Sequence, residues 1–231
     1  MNAFLPTDGE DGGEMGLFER VRQLLGVGAE TAATREADPG DLFGMSTAYV
    51  TMEAELGYEP AGTAALCFSD VDSTGFRETV AEVREILDAG EAETGTVAEF
   101  HEDEFGYQWI ALDASDPEAL ATSVHFAADT LIEGRYGSRL IAALFAFEAT
   151  DRAGTPEGQH VYWVYSFRRG AYYPFAPEPA AGGTNPEEVR ERDESLEYKL
   201  AGVLDGELSV EDDRGYWYPL WPDSPGDHPW E

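Results

Sequence analysis

The sequence contains very little cysteine and very little positive charge. Its one cysteine, Cys67, excludes an internal disulfide and is compatible with a reducing, intracellular compartment. Over 231 residues, 14 Lys and Arg oppose 47 Asp and Glu, which gives a formal net charge of −33. Binding to nucleic acid requires a basic surface, so this balance excludes a nucleic-acid-binding protein. No apolar run reaches the roughly 18 residues that a membrane-spanning helix needs, and we expect no such helix.

The negative charge is spread along the whole chain, and Lys199 is its only lysine. This composition is typical of a halophilic protein, because at about 1 M salt the Debye length is only about 3 Å and self-repulsion is screened. We therefore attribute the acidity to adaptation to molar salt. The alternative is an acidic surface that recognises a basic partner.

Enough apolar residues remain to build one folded domain, since 42% of the chain is hydrophobic and 12% is aromatic. Residues 1–14 are rich in glycine and acidic residues and are predicted to be a disordered extension, or an overlong start before Met15. Residues 15–40 are predicted to form an amphipathic helix and a linker, and residues 222–231 a tail. Residues 41–221 are predicted to form one compact domain.

Hydrophobic periodicity predicts an α+β fold in which helices pack on a mainly antiparallel sheet. Helices are expected at about 41–56, 74–89, 117–133 and 185–203, and strands at about 62–68, 96–103, 107–113, 139–148, 159–167 and 171–175. Ser73 or Thr74 is expected to cap the second helix, and Asp116 with Pro117 to open the third. The strand at 159–167 has bulky residues on both faces, which predicts an interior position, whereas Pro174 predicts a sheet edge for the last strand. The aromatic segment 217–221 is expected to lie across an apolar patch of the same domain.

Motifs for catalysis, metal binding and cofactor binding are absent from the sequence. The four histidines are far apart, residues 44–48 (GMSTA) fail the nucleophile-elbow pattern, and no glycine-rich loop has the flanking strand and helix that phosphate binding requires. Cys67 is interpreted as a small core residue. We therefore expect no catalytic residue, no metal and no cofactor. The alternative is an enzyme whose site assembles from dispersed residues such as His101, His125 and Asp129.

One segment has the composition of a protein-binding surface. Two of the few cations are adjacent at a turn, and aromatic residues flank them. Arginine beside aromatic side chains is common in protein interfaces. The predicted partner-binding residues are Arg168, Arg169, Tyr172, Tyr173 and Phe175. The alternative is an ordinary hairpin whose aromatic residues belong to the core and whose arginines pair with acids.

The predicted N-terminal helix offers a second attachment. Its apolar residues recur with helical spacing on one face, at Leu17, Phe18, Val21, Leu24 and Leu25. Three interpretations stay open: an interfacial membrane anchor, a helix that docks on a partner, or a helix that packs on its own domain.

Several segments together resemble the PspAB family, the PspA-associated proteins of archaea and actinobacteria. The resemblance is carried by residues 15–20 (MGLFER), 107–109 (YQW), 124–131 (VHFAADTL), 169–177 (RGAYYPFAP) and 217–221 (WYPLW). Combined with the acidic composition, it suggests a haloarchaeal member. The family implies an association with PspA, a coiled-coil membrane-stress protein, and with an HtpX-like membrane zinc metalloprotease. It also implies a fold similar to type III secretion chaperones and YbjN-like proteins, and it supplies no catalytic residue.

The expected function is therefore that of a non-enzymatic adaptor in a PspA-type envelope stress response. It would be cytoplasmic and would bind a PspA-like coiled coil or an HtpX-like protease. Peripheral contact with the inner face of the membrane, as a lipid sensor, is the alternative for the N-terminal helix.

Overall fold

The computed structural model describes residues 37–103, 106–178 and 191–220. The predicted extension at 1–14, the amphipathic helix and most of its linker, and the tail at 222–231 lie outside these ranges. Within them the predicted α+β class is confirmed. The strands are β1 (Tyr58–Ser69), β2 (Val97–Glu102), β3 (Tyr107–Asp113), β4 (Leu140–Ala149), β5 (His160–Ser166) and β6 (Ala171–Phe175); the α-helices are α1 (Gly44–Thr51), α2 (Thr74–Thr94), α3 (Pro117–Glu133) and α4 (Glu194–Leu204).

The six strands form one antiparallel sheet in the order β2-β3-β1-β4-β5-β6. β3 lies between β1 and β2, which α2 connects, and β1 lies between β3 and β4, which α3 connects. This interleaving is that of the split β-α-β motif. β5 has neighbours on both sides and β6 lies at the edge of the sheet, as the sequence predicts.

Helices α1, α2 and α3 cover one face of the sheet and form the helical layer. Their buried residues join inward residues of the strands, such as Leu66, Phe145 and Trp163, in the larger of two hydrophobic cores. α3 begins as predicted, because Asp116 caps its N-terminus and Pro117 occupies the first turn. Among the described residues, no helix is both long and apolar enough to cross a bilayer.

Helix α2 is longer than predicted. Its Ser73 cap accepts the N–H of Phe76, as expected, but the helix continues through Gly90 and ends at Gly95, where φ is 69°. A glycine inside a helix costs about 1 kcal/mol and does not end it, whereas a left-handed residue does. The predicted end before Gly90 is therefore wrong.

The first helical segment starts before residue 41 and is not uniform. Asp38 caps a 3-10 turn at Pro39–Phe43, α1 follows, and a π-helical turn at Met52–Leu56 completes the predicted range. Gly57 ends the segment with φ 75°, and a Cβ there would lie 2.6 Å from the backbone nitrogen of Ala153. This close approach explains why glycine stands immediately before β1.

Helix α4 begins later than predicted. The predicted start at Asn185 lies outside the described residues, but residues 191–193 are described and are not helical. Arg192 forms an antiparallel bridge with Pro177, and Asp193 caps the helix by accepting the N–H of Leu196. The extended pairing of this segment excludes one continuous helix from 185 to 203.

The other face of the sheet, called here the second face, carries a smaller hydrophobic core. It contains Ala65, Cys67, Trp109, Leu144 and Val164. Trp217 and Leu220 of the C-terminal segment pack against this core and are 5% and 3% exposed. The prediction that segment 217–221 lies across an apolar patch of the same domain is confirmed for these two residues. Residue 221 lies outside the described ranges.

Candidate functional site

The predicted contact segment at 168–175 lies almost entirely inside the protein. Tyr172, Tyr173 and Phe175 are 0% exposed and Arg169 is 4% exposed. Tyr172 faces the helical layer, and Tyr173 and Phe175 lie in the core of the second face. Because both faces of β6 are covered, its alternating side chains fill both cores. The expectation that these four side chains form an exposed surface is therefore corrected: in this conformation they are buried, and their binding to a partner stays a prediction.

Arg169 forms a buried, bidentate ion pair with Glu211. Its Nε donates to Glu211 Oε2 at 2.6 Å and its Nη2 donates to Oε1 at 2.9 Å. The guanidinium carbon lies 3.8 Å from the ring centroid of Tyr216, and Glu211 also accepts the N–H of Asp213 at 3.0 Å. The hydrogen bonds to Glu211 raise the pKa of Arg169 above its ordinary value. The pair fastens residues 209–217 to the end of the β5–β6 hairpin.

Arg168 is the only one of the five predicted contact residues that is not buried. It is half-buried, and its Nη2 donates to the carbonyl oxygen of Ser138 at 3.1 Å. Of the predicted cations, only Arg168 could contact a partner without local unfolding.

A second cluster of charges surrounds Glu197 on α4, which is 0% exposed. Its carboxylate accepts the N–H of Ala176 at 3.0 Å and the Nε of Arg192 at 2.9 Å, and Arg214 Nη2 lies 3.8 Å away. Burial raises the pKa of Glu197, and the hydrogen bond from Arg192 opposes this rise. The cluster joins α4, the end of β6 and the C-terminal segment.

The outer edge of β6 is paired with the protein's own backbone. The N–H of Tyr172 donates to Ser209 and its carbonyl accepts from Glu211, both at 2.8 Å. Beyond the strand, the N–H of Asp193 donates to the carbonyl of Ala176 at 2.9 Å. A partner therefore cannot add a strand here without displacing these segments.

The dispersed residues of the enzyme hypothesis lie on different sides of the sheet. His101 lines an open cavity of about 370 Å³ at the second face, together with Glu99 and Asp113. His125 lies in the helical layer, where its Nδ1 is 3.0 Å from the carbonyl oxygen of Pro39, and Asp129 is one turn further along α3. The structure does not bring the three together. Within the described part of the chain, no group of three His, Cys, Asp or Glu side chains could hold a metal ion.

An apolar surface stands on the outside of the helical layer. The ring of His125 lies 4.4 Å from that of Phe43 and 5.7 Å from that of Phe126, between centroids. Phe43 is 42% exposed, Phe126 50% and Val50 68%. Phe43 and Val50 are seven residues apart along the first helical segment, so they share a face. We call Phe43, Val50, His125 and Phe126 the helical-layer patch.

Sequence reasoning identified His125 but missed the phenylalanines beside it. The signal was present, because Phe126 lies outside the apolar stripe of α3 formed by Leu120, Val124 and Leu131. An aromatic residue on the polar side of an amphipathic helix has no core to fill. Such a residue is a candidate for contact with another molecule.

The chain is similar to the members of a known protein family. A family model described as PspAB, PspA associated protein B, matches residues 15–230. No curated protein matches the chain. No solved structure matches it either, so the suggested similarity to type III secretion chaperones and YbjN-like proteins stays a prediction.

Proposed function

Because the chain belongs to the PspA associated protein B family, we propose that it is a non-enzymatic adaptor of a PspA-type membrane stress response. In this proposal it binds a PspA-like coiled coil through the helical-layer patch. The family name supports an accessory role with PspA, and the patch supplies a surface for it.

The observation that carries the proposal is the exposure of Phe43 and Phe126 around His125. Two phenylalanine rings that are 42% and 50% exposed, in contact through one histidine, leave apolar area in water that a partner would cover. Aromatic residues dominate the binding energy of many interfaces. Elsewhere in the described chain, Ile86 on α2 is 38% exposed but lies outside this cluster of aromatic rings. It therefore serves as a control.

The shape and charge of the patch favour a helical partner. Two neighbouring helical segments, α1 with its preceding turn and α3, contact each other and present exposed apolar residues side by side, a surface that suits the apolar ridge of another helix. Carboxylates border the patch, since Asp129 follows Phe126 by three residues and Glu53 follows Val50 by three. The partner helix should therefore combine an apolar ridge with flanking Lys or Arg.

An HtpX-like protease is the alternative partner, and Leu17, Phe18, Val21, Leu24 and Leu25 are a candidate second attachment to either partner or to the membrane. These residues lie outside the described ranges. The proposal places the protein in the cytoplasm, where a PspA-like protein would meet it at the inner face of the membrane.

The test replaces both exposed rings with charged side chains, as Phe43→Glu with Phe126→Glu, in the full chain. Covering the exposed half of two rings contributes about 2 kcal/mol, so we expect Kd for a PspA-like coiled coil to rise about 30-fold. Calorimetry in molar KCl measures it, with Ile86→Glu as the matched control. Unchanged affinity in a folded double variant would remove the patch from the interface.

Partner identity is tested by affinity purification from the native host in molar KCl, with mass spectrometry of the bound proteins. Recovery of a PspA-like protein that is lost in the double variant supports the proposal. Arg168→Glu alone tests the remaining predicted cation, because reversing Arg169 as well would leave Glu211 buried without its counter-ion.

A further inference from the structure

His125 brings a hydrogen-bond acceptor into the helical-layer patch. Its Nδ1 lies 3.0 Å from the carbonyl oxygen of Pro39. Because a carbonyl oxygen only accepts, Nδ1 must carry the hydrogen, and in the neutral ring Nε2 is then an acceptor. The two nitrogens lie on different sides of the imidazole, so Nε2 is directed away from Pro39. Within the described chain, Nε2 makes no hydrogen bond.

Asp129 adds a carboxylate on the same side of α3. It follows His125 by four residues, and side chains at that spacing are neighbours on a helix, with Cβ atoms about 6 Å apart. Asp129 is partly exposed, and in the described part of the chain it has neither a hydrogen bond nor an ion pair. Phe126, three residues before Asp129, presents its exposed ring beside these two groups. The patch thus offers two acceptors and an aromatic face.

The protein itself shows which side chain fits such a set. Arg169 donates to Glu211 while its guanidinium carbon lies 3.8 Å from the ring centroid of Tyr216. The guanidinium carbon of Arg214 lies 3.9 Å from the ring centroid of Tyr198, and its nitrogens pair with carboxylates of α4. In both places a carboxylate and an aromatic ring hold one guanidinium, because this group donates in its plane and stacks on its face.

We propose that the helical-layer patch binds an arginine side chain of its partner, with Asp129 and His125 Nε2 as acceptors and Phe126 as the stacking face. The inference rests on the proposed function and narrows the partner to a helix whose apolar ridge is bordered by arginine. A guanidinium has five N–H donors in a rigid fork, enough to reach two acceptors one helical turn apart. A lysine ammonium would meet Asp129 as a point charge, without planar stacking on the ring.

The net charge of the chain cannot supply this selectivity. At about 1 M salt the Debye length is about 3 Å, so the charge of −33 attracts a cationic helix only weakly. Contacts at hydrogen-bond distance are not longer than this length, and they persist. A preference for arginine over lysine in molar KCl would therefore report on the local arrangement of acceptors and ring.

The test uses one helical host peptide with a leucine ridge, in four versions that differ at a single position beside the ridge. That position is arginine, citrulline, lysine or leucine, and citrulline has nearly the shape of arginine without its charge. Fluorescence anisotropy in molar KCl at pH 8, where imidazole is neutral, measures Kd for the full chain. We expect the arginine peptide to bind about tenfold more tightly than each of the others.

Two variants assign this preference to named groups. His125→Phe keeps an aromatic ring and removes the acceptor, and Asp129→Asn removes the charge; each should reduce the preference at least threefold. Glu133→Gln, one turn further along α3, changes the charge equally and should leave the preference unchanged. Far-UV circular dichroism checks that each variant is folded. His125→Phe also loses the contact with Pro39, so if it does not fold, Asp129→Asn decides.

A direct readout comes from the four histidines, labelled with ¹⁵N in the full chain. The arginine peptide should shift the Nε2 resonance of His125, assigned from its absence in His125→Phe, more than the lysine peptide does. Equal Kd values for the four peptides, absence of binding by all of them, or an arginine preference that survives in both variants would overturn the inference. The proposed function is judged separately, by the affinity of the Phe43→Glu, Phe126→Glu variant for a PspA-like coiled coil. Weakened coiled-coil binding there, combined with equal peptide affinities, would keep the patch as an interface and remove the arginine.

Discussion

Removing one partner of the Arg169–Glu211 ion pair is expected to destabilise the whole domain. The two side chains are 4% and 6% exposed, and two hydrogen bonds of 2.6 and 2.9 Å join them. Arg169→Met leaves the Glu211 carboxylate buried beside the N–H of Asp213 and without its counter-ion, and it removes the contact with Tyr216. Glu211→Leu leaves the guanidinium buried without its counter-ion.

The magnitude follows from the burial of the charge that is left behind. Breaking a buried pair from one side costs about 3–5 kcal/mol, which is a large fraction of the 5–15 kcal/mol that stabilises a typical domain. For a domain of this size we expect a fall in Tm of about 10 °C. The double variant Arg169→Met, Glu211→Leu leaves no unpaired charge and should be more stable than either single variant. The expected coupling energy is at least about 2 kcal/mol.

Urea unfolding in molar KCl, monitored by tryptophan fluorescence and circular dichroism, measures these free energies. Urea is chosen because guanidinium chloride would change the ionic strength around a chain of −33. The matched control is Arg77→Met, which breaks the pair with Asp72 whose side chains are 64% and 99% exposed. An exposed pair contributes about 0.5 kcal/mol, so this variant should unfold almost like the parent. If the two buried variants cost under about 1 kcal/mol each and add without coupling, the inference that this pair fastens the C-terminal segment is refuted.

Two further predictions concern the solvent. Burial raises the pKa values of Tyr49, Tyr172 and Tyr173 above the ordinary 10.0. Above pH 10 the unfolded chain therefore binds fewer protons than the folded chain. The free energy of unfolding should then fall by about 1.4 kcal/mol per pH unit for each buried tyrosine. Absorbance at 295 nm should show these phenols ionising only as circular dichroism reports unfolding, and ionisation near pH 10 in a folded chain would contradict this. Lowering KCl below about 0.5 M should reduce Tm, because screening of the −33 charge weakens as the Debye length grows; melting curves that coincide from 0.1 to 3 M would refute the halophilic interpretation of the acidity.

The sequence predicted the elements that depend on local signals. Asp116 and Pro117 mark the start of α3, Ser73 marks that of α2, and Pro174 indicates an edge strand, because caps and proline act within a few residues. The end of α2 was mispredicted because Gly90 permits a helix to continue, and only the left-handed backbone of Gly95 ends it.

The environment of 168–175 could not be predicted, because it depends on contacts distant in sequence. Arg169 meets Glu211 across 42 residues, and the C-terminal segment returns to pair with β6. An arginine beside aromatic residues has the same composition in an interface and in a buried ion pair. The exposure of Phe126 was predictable from the sequence, because helical periodicity places this residue outside the apolar stripe of α3.

The position of the proposed interface follows from the surfaces that the fold has already used. The edge of β6 is paired with residues 209–211, and the second face is buried from Trp109 to Tyr173. β2, at the other edge, carries Glu99, His101 and Glu102, and charges on an edge strand disfavour the addition of another strand. Among the described residues, the outside of the helical layer is then where apolar area remains exposed in a contiguous set of rings, those of Phe43, His125 and Phe126. A coiled coil, which offers helices and no strand edge, matches this surface better than an extended peptide does.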